Sequence, residues 1–211
     1  MDRSSGDHIL VPARMSSLHA PWMLLLAVCT LLLTTGTMAQ VSLFHVLRSD
    51  EVIGHVVATR QALPNGEAYS MESHCELDVI WKQVVRTALR TEYTNGELSA
   101  CHTSVRVNGS VRDSSSMVRG RADCYVHPDA PFDCARRTHW TTSRLYFEEP
   151  VGQTIIFVES VLQDCRLERS APGTYTLTFP NGHENHYVYR DGLLQEIRVE
   201  RPLLDLVFRR A

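Results

Sequence analysis

The chain has 211 residues, 44% hydrophobic and 21% charged, with 24 acidic against 21 basic side chains and a formal charge of −3. That balance excludes collagen-like, low-complexity and strongly charged disordered classes. It also lacks the basic excess of proteins that gain affinity by neutralising phosphates, so no nucleic-acid partner is expected.

The first element in chain order is a targeting segment. Trp22 to Leu33 (WMLLLAVCTLLL) is an apolar run too short for a transmembrane helix but of the right size for a signal-peptide core. Thr37 and Ala39 then place small side chains where a signal peptidase requires them, so residues 1–39 are expected to be cleaved and Gln40 to be the first mature residue. Met15 is an alternative start with the same mature product. A lipoprotein reading fails on Val28, which stands before Cys29 where a small residue is needed. Residues 40–211 are expected to form a single exported domain, periplasmic or secreted, with no integral membrane segment after cleavage.

Strand-like segments follow at 41–47, 51–60, 84–93, 98–107, 154–160, 174–179, 185–190 and 193–199, rich in β-branched and aromatic residues. Between and beside them lie Asn65-Gly66, Asn95-Gly96, Asn108-Gly109, Asn181-Gly182 and Asp191-Gly192. Asn, Asp and Gly tolerate the positive φ that type I′ turns demand, so each pair reads as a hairpin turn. The fold expected is mainly β: an antiparallel, strongly curved sheet or partly open barrel built from consecutive hairpins. At most one short helix is expected, its candidate being Cys75 to Arg90, although the β-branched density there favours strand. A membrane β-barrel would fit the length, but Arg86, Arg90, Glu92, Arg190, Glu196 and Arg198 sit too near mid-strand for a lipid-facing band.

Five cysteines remain after cleavage, an odd number in an oxidising compartment. Cys124 and Cys134 bracket a short loop with two prolines and form the favoured disulfide pair. The doublets His74-Cys75 and Cys101-His102 lack the C-x-x-C or H-x-x-x-H spacing that puts two ligands on one turn. No metal or other cofactor is therefore expected.

At the carboxyl end, two-residue turns at Asn181-Gly182 and Asp191-Gly192 would pair Leu177 with His186, and His186 with Ile197. One face would then collect Tyr175, Leu177, Phe179, Val188, Ile197 and Val199, with His186 and Glu184 beside them. The other face would carry Tyr187, Tyr189 and Leu194. Pro150 is expected to end a strand at Leu145 to Phe147, and Glu148 and Glu149 to be solvated turn carboxylates.

The segments Leu145-Tyr146-Phe147-Glu148-Glu149-Pro150 and Pro180-Asn181-Gly182-His183-Glu184-Asn185-His186-Tyr187-Val188-Tyr189-Arg190-Asp191-Gly192-Leu193 resemble those of a family of small exported bacterial proteins classed as a domain of unknown function. The resemblance extends over most of the mature chain, including Ile53-Gly54 and Asn95-Gly96-Glu97-Leu98. It implies export and β architecture and carries over no activity, ligand or catalytic residue.

Trp140, His186, Tyr187 and Tyr189 are the candidate ligand-binding residues. A hydrolase using His186 oriented by Glu184 lacks an activated nucleophile, since Ser160 in FVESV has no Gly-x-Ser-x-Gly turn. No catalytic residue is assigned. The expectation is a binding protein for an apolar or lipid-like ligand in the bacterial envelope. The alternatives are a module that pairs with another envelope protein through an exposed strand edge, and the hydrolase.

Overall fold

The computed structural model describes residues 39–78, 81–121, 124–127, 138–201 and 204–211, which belong to one compact unit, Thr37–Ala211. Residues 1–38 of the expected leader lie outside the described residues. Thirteen strands are present: β1 (Gln40–Arg48), β2 (Glu51–Leu63), β3 (Gly66–Asp78), β4 (Lys82–Thr94), β5 (Glu97–Val107), β6 (Ser110–Val118), β7 (Tyr125–His127), β8 (Ile155–Val158), β9 (Gln163–Ala171), β10 (Thr174–Thr178), β11 (Glu184–Arg190), β12 (Leu193–Arg201) and β13 (Leu204–Arg210). They form one sheet in the order β7-β6-β5-β4-β3-β2-β1-β13-β12-β11-β10-β9-β8. Each neighbour pair is antiparallel, so the sheet is a run of hairpins closed in the middle by β1 against β13.

Alternation sets the two faces. In β1, Ser42, Phe44 and Val46 are buried while Val41, Leu43 and His45 are exposed, the period of 2 that a sheet with one buried face requires. Of the Cys75 to Arg90 region, Cys75–Asp78 belongs to β3 and Lys82–Arg90 to β4, and the only helical element among the described residues is a 3₁₀ turn at Arg144–Tyr146.

That 3₁₀ turn replaces the strand expected at Leu145 to Phe147. All three of those residues are buried, which a strand with one solvated face cannot achieve, and together they fill the concave side of the sheet. Tyr146 meets the Phe44 ring edge-on at 5.7 Å, Phe147 lies 5.7 Å from Tyr69, and the Tyr189 hydroxyl donates to the Leu145 carbonyl at 2.7 Å. Glu148 and Glu149 are not solvated turn residues but anchors for this plug. Glu148 pairs with Arg144 at 2.8 Å and Arg60 at 3.3 Å, and Glu149 accepts from the Tyr175 hydroxyl at 2.8 Å.

Thirteen strands laid flat would span about 58 Å at the usual inter-strand spacing. Yet Ser115 of β6, second in the order, donates to the carbonyl of Glu159 at 2.5 Å, one residue beyond β8, which is last. The sheet is therefore rolled until its ends approach, and among the described residues no ladder closes it. Side chains and the plug bridge the gap: Thr141 forms an isolated bridge with Phe157 of β8, and the Thr138 carbonyl accepts from the Leu98 amide of β5 at 2.8 Å.

Asn95-Gly96, Asn108-Gly109 and Asp191-Gly192 have positive φ at both residues, as type I′ turns require. Two expected turns differ. Leu63 pairs with Gly66, so the first turn is Pro64-Asn65 and Gly66 opens β3, at a position where an added Cβ would fall 1.9 Å from the Tyr93 carbonyl oxygen. In the β10–β11 hairpin Thr178 pairs with Glu184 and the Phe179 amide donates to the His183 carbonyl at 2.8 Å. The loop is thus Pro180–Gly182, with positive φ only at Gly182.

That third loop residue, with a β-bulge between Val188 and Tyr189, corrects the expected register. A shift of one residue turns every side chain of a strand to the opposite face. Thr176, not Leu177, opposes His186, and Arg198, not Ile197, lies on its other side. Tyr187, Tyr189 and Leu194 join Tyr175, Leu177 and Ile197 inside, while His186 and Val188 face outward.

Candidate functional site

The most polar part of the interior is built around Glu159, which is fully buried at the end of the apolar run IIFV. Its Oε2 accepts from the Thr142 amide at 3.1 Å and from the Thr142 hydroxyl. Its Oε1 accepts from the Ser143 amide at 3.0 Å and the Thr91 hydroxyl at 3.3 Å. Two of these donors are backbone groups at the entry to the 3₁₀ turn, so the carboxylate does the work of a helix cap for the plug. The network continues through Tyr93, which donates to Thr141 at 2.9 Å, and through Thr103 and Ser115, 2.7 Å apart. Burial, with the Glu159 charge added to it, pushes the Tyr93 phenol well above its ordinary value.

Beside this network the rolled sheet leaves a cavity of about 430 Å³. Met71 of β3, Leu89 of β4 and Val105 of β5 line one side, and Val199 of β12 and Phe208 of β13 the other, with Tyr146 of the plug and Val158 of β8. Its polar groups come from Asp113, Glu159, Asn185 and Arg201, from the Tyr187 phenol, and from hydroxyl side chains including Thr142 and Ser160. A cavity of this volume that combines apolar walls with convergent polar groups has the size and character of a small-molecule site.

Among the described residues Arg201 is the one cation lining the cavity. It is held by neutral acceptors: Nη1 donates to the carbonyls of Glu184 at 3.2 Å and Glu200 at 2.7 Å, and Nη2 to the Asn185 Oδ1 at 3.0 Å. Its guanidinium lies 5.2 Å over the Phe179 ring, and burial draws its pKa below the ordinary value. Burial likewise pushes the Tyr187 phenol up to about 12, with the Asn185 amide opposing the shift.

The structure does not bring the four sequence candidates together. Tyr187 lines the cavity. Tyr189 packs edge-on against Tyr175 at 5.8 Å and is spent on the Leu145 carbonyl. Trp140 is half-buried on the segment leading to the plug, with the Arg144 guanidinium 4.8 Å over its ring. His186 sits on the outer face, its Nδ1 3.0 Å from the Thr176 hydroxyl and its Nε2 3.8 Å from Glu184 and 3.5 Å from Glu200. A hydroxyl, an imidazole and carboxylates thus adjoin, but in the middle of a sheet with strands on both sides of β10 and β11. Backbone amides there are committed to ladders and cannot serve an oxyanion.

Among the cysteines, Cys75, Cys101 and Cys165 are buried free thiols. Cys75 and Cys101 point inward while His74 and His102, their neighbours, face outward, so neither doublet gathers two ligands at one point. Cys134 of the expected disulfide lies outside the described residues.

Glu159 and Arg201 are the functional candidates that sequence reading passes over. A lone acid closing an apolar strand in TIIFVES was a usable sign of a buried, satisfied carboxylate, whereas nothing local distinguishes Arg201 from the other arginines of the carboxyl-terminal strands.

The architecture defines an open, barrel-like β protein with a plugged interior and a small internal cavity. In keeping with that, residues 44–211 match the model of DUF6134, a domain of unknown function, and the chain belongs to that family. It is similar in fold to a crystal structure described as a beta-barrel-like protein of domain of unknown function DUF1849 from Brucella abortus, at 10% identity and a TM-score of 0.51. That likeness covers 83% of this chain and 96% of the other. No curated protein matches the sequence.

Proposed function

We propose that this chain is an exported, non-catalytic binding protein of the bacterial envelope that holds an apolar or lipid-like small ligand inside its rolled sheet. The observation that carries the reading is the cavity of about 430 Å³ between β3–β5 and β12–β13, with apolar side chains from both sides and polar groups at Asp113, Glu159, Asn185, Tyr187 and Arg201. The apolar walls provide affinity by desolvation, and the few polar groups fix orientation. The apolar run Trp22 to Leu33, with the small residues Thr37 and Ala39 after it, supports export, and the Cys124–Cys134 bridge belongs to the same proposal.

The edge-pairing alternative has less support, because the outermost strands β7 and β8 have only 3 and 4 residues and β8 is covered by the bridge from Thr141. The test is expression of the full chain with export, native purification and solvent extraction of the product for mass spectrometry. A hydrophobic metabolite at one per chain is the expected result. A folded protein with nothing extractable, which also fails to take up fluorescent fatty-acid or phospholipid probes, would overturn the reading.

A further inference from the structure

Three half-buried guanidiniums, those of Arg60, Arg144 and Arg201, differ in what meets them. Arg60 lies 2.5 Å from Glu67 and 3.3 Å from Glu148, and Arg144 lies 2.8 Å from Glu148. Among the described residues no carboxylate meets Arg201, whose acceptors are two carbonyls and the Asn185 side chain. The carboxylates of the neighbouring Glu184 and Glu200 are turned to the outer face, toward His186 Nε2. Burial acts to lower all three pKa values. Neighbouring groups, Glu67 at Arg60 and Tyr69 with Glu148 at Arg144, more than offset it, whereas at Arg201 the Tyr187 phenol does not.

A guanidinium stays charged in a protein, so Arg201 brings to the cavity a positive charge with no counter-ion among the described residues. Nη1 gives its hydrogens to the two carbonyls and Nη2 gives one to Asn185. Among the described residues nothing accepts the Nε hydrogen or the second Nη2 hydrogen, and that edge of the fork fits a carboxylate through two parallel bonds. The acids of the cavity are otherwise engaged: Glu159 accepts from four donors, and Asp113 has an interaction of its own. Along β12 the inward residues run Leu194, Ile197, Val199 and Arg201. Leu194 pairs with Tyr189, whose hydroxyl holds the Leu145 carbonyl of the plug, whereas Arg201 lies over Phe179 at the β10–β11 loop. The cation thus stands at one end of a slot whose apolar side chains run toward the plug.

Volume limits what the slot can take. At a water's share of liquid volume, about 30 Å³ per non-hydrogen atom, a cavity of about 430 Å³ holds about 14 such atoms, too few for a two-chain phospholipid. Resting on the reading of this cavity as the binding site, we propose that its ligand is a single-chain aliphatic monocarboxylate of about twelve carbons. The carboxylate takes the Nε–Nη2 edge of Arg201, and the chain lies along Val199 and Leu89 toward Tyr146. A neutral alcohol of the same length would leave the buried guanidinium without a counter-ion. A phosphomonoester would bring a second negative charge into a cavity that already holds Glu159 and Asp113.

The test is equilibrium dialysis of the exported protein against dodecanoate, dodecanol, dodecylamine and octadecanoate at neutral pH. Dodecanoate is expected at one per chain and about tenfold or more tighter than dodecanol, the scale of a charge-assisted pair of hydrogen bonds. Octadecanoate, with about 20 non-hydrogen atoms, is expected to bind about tenfold or more weakly than dodecanoate. Arg201→Met is expected to bring dodecanoate down to the level of dodecanol and to leave dodecanol within about twofold, with the melting curve as the check of folding. Arg201→Lys, which keeps the charge and loses the fork, is expected to retain part of the preference. Equal binding of dodecanoate and dodecanol by the unaltered protein, a preference that survives Arg201→Met, or tighter binding of dodecylamine would overturn the carboxylate assignment and leave the cavity a binding site. Octadecanoate held as tightly as dodecanoate would overturn the chain length. Binding of none of the four, nor of fluorescent phospholipid probes, would overturn the reading of the cavity itself.

Discussion

Replacing Glu159 tests whether the plug is held by its carboxylate. Glu159→Ala removes the acceptor for two backbone amides, those of Thr142 and Ser143, and for the hydroxyls of Thr142 and Thr91. Hydroxyls can turn to other acceptors, but a buried amide left without one costs roughly 1–3 kcal/mol. With the cavity left by the lost side chain, the expected loss is about 4 kcal/mol, a large part of the 5–15 kcal/mol typical of a domain. Glu159→Gln is the sharper variant. Each carboxylate oxygen serves one backbone amide, so either orientation of the glutamine sets its NH₂ against an amide donor and keeps only one of the two bonds. The expected loss is about 2 kcal/mol. Urea unfolding of the exported protein measures both, and by the usual size scaling Glu159→Ala should lower Tm by about 10 °C. A loss below about 1 kcal/mol for Glu159→Ala, or equal losses for the two variants, would refute the capping role.

Gly66→Ala drives a Cβ to 1.9 Å from the Tyr93 carbonyl oxygen and should cost about 3 kcal/mol. Gly96→Ala meets nothing within 4 Å and should cost only the roughly 1 kcal/mol of a left-handed alanine, so equal melting temperatures would contradict the close approach of β3 and β4. Burial pushes Cys75 and Cys165 up to about 11 and Cys101 higher still, so the native protein should resist a thiol reagent at mildly alkaline pH and the denatured, unreduced protein should titrate three thiols. Five would show that Cys124 and Cys134 are not joined. Burial raises the Glu67 pKa, but hydrogen bonds from the Tyr69 hydroxyl at 2.6 Å and Arg60 at 2.5 Å outweigh it and hold the group below its ordinary value. A depressed carboxylate contributes stability above the unfolded pKa that is lost as pH falls through the folded one. The stability gap between wild type and Glu67→Gln should therefore narrow between neutral pH and about pH 3, and a constant gap would contradict the assignment.

The hairpins were legible because their chemistry is local. Asn95-Gly96, Asn108-Gly109 and Asp191-Gly192 specify backbone signs that few other dipeptides adopt, and the strands between them carry their alternation openly. Register was not legible, since a third loop residue at Pro180 and a bulge at Val188 are invisible to a rule that counts two-residue turns, and each reverses a strand. His186 consequently left the apolar face and Tyr187 entered it. The plug at Leu145–Phe147 was read as strand because three consecutive apolar residues fit either a buried strand or an interior turn, and only the rolled sheet around them decides. Arg201 owes its position to the way β12 meets the β10–β11 loop, a relation that exists only once the sheet has curled.

Native mass spectrometry of the exported protein, beside a variant whose cavity is filled, Val105→Trp, asks whether the rolled sheet holds a ligand. A hydrophobic adduct at one per chain is expected in the wild type, absent from a Val105→Trp protein that still melts cooperatively. Equal adduct in both proteins, or none in the wild type even after incubation with fatty acids and phospholipids, would contradict it.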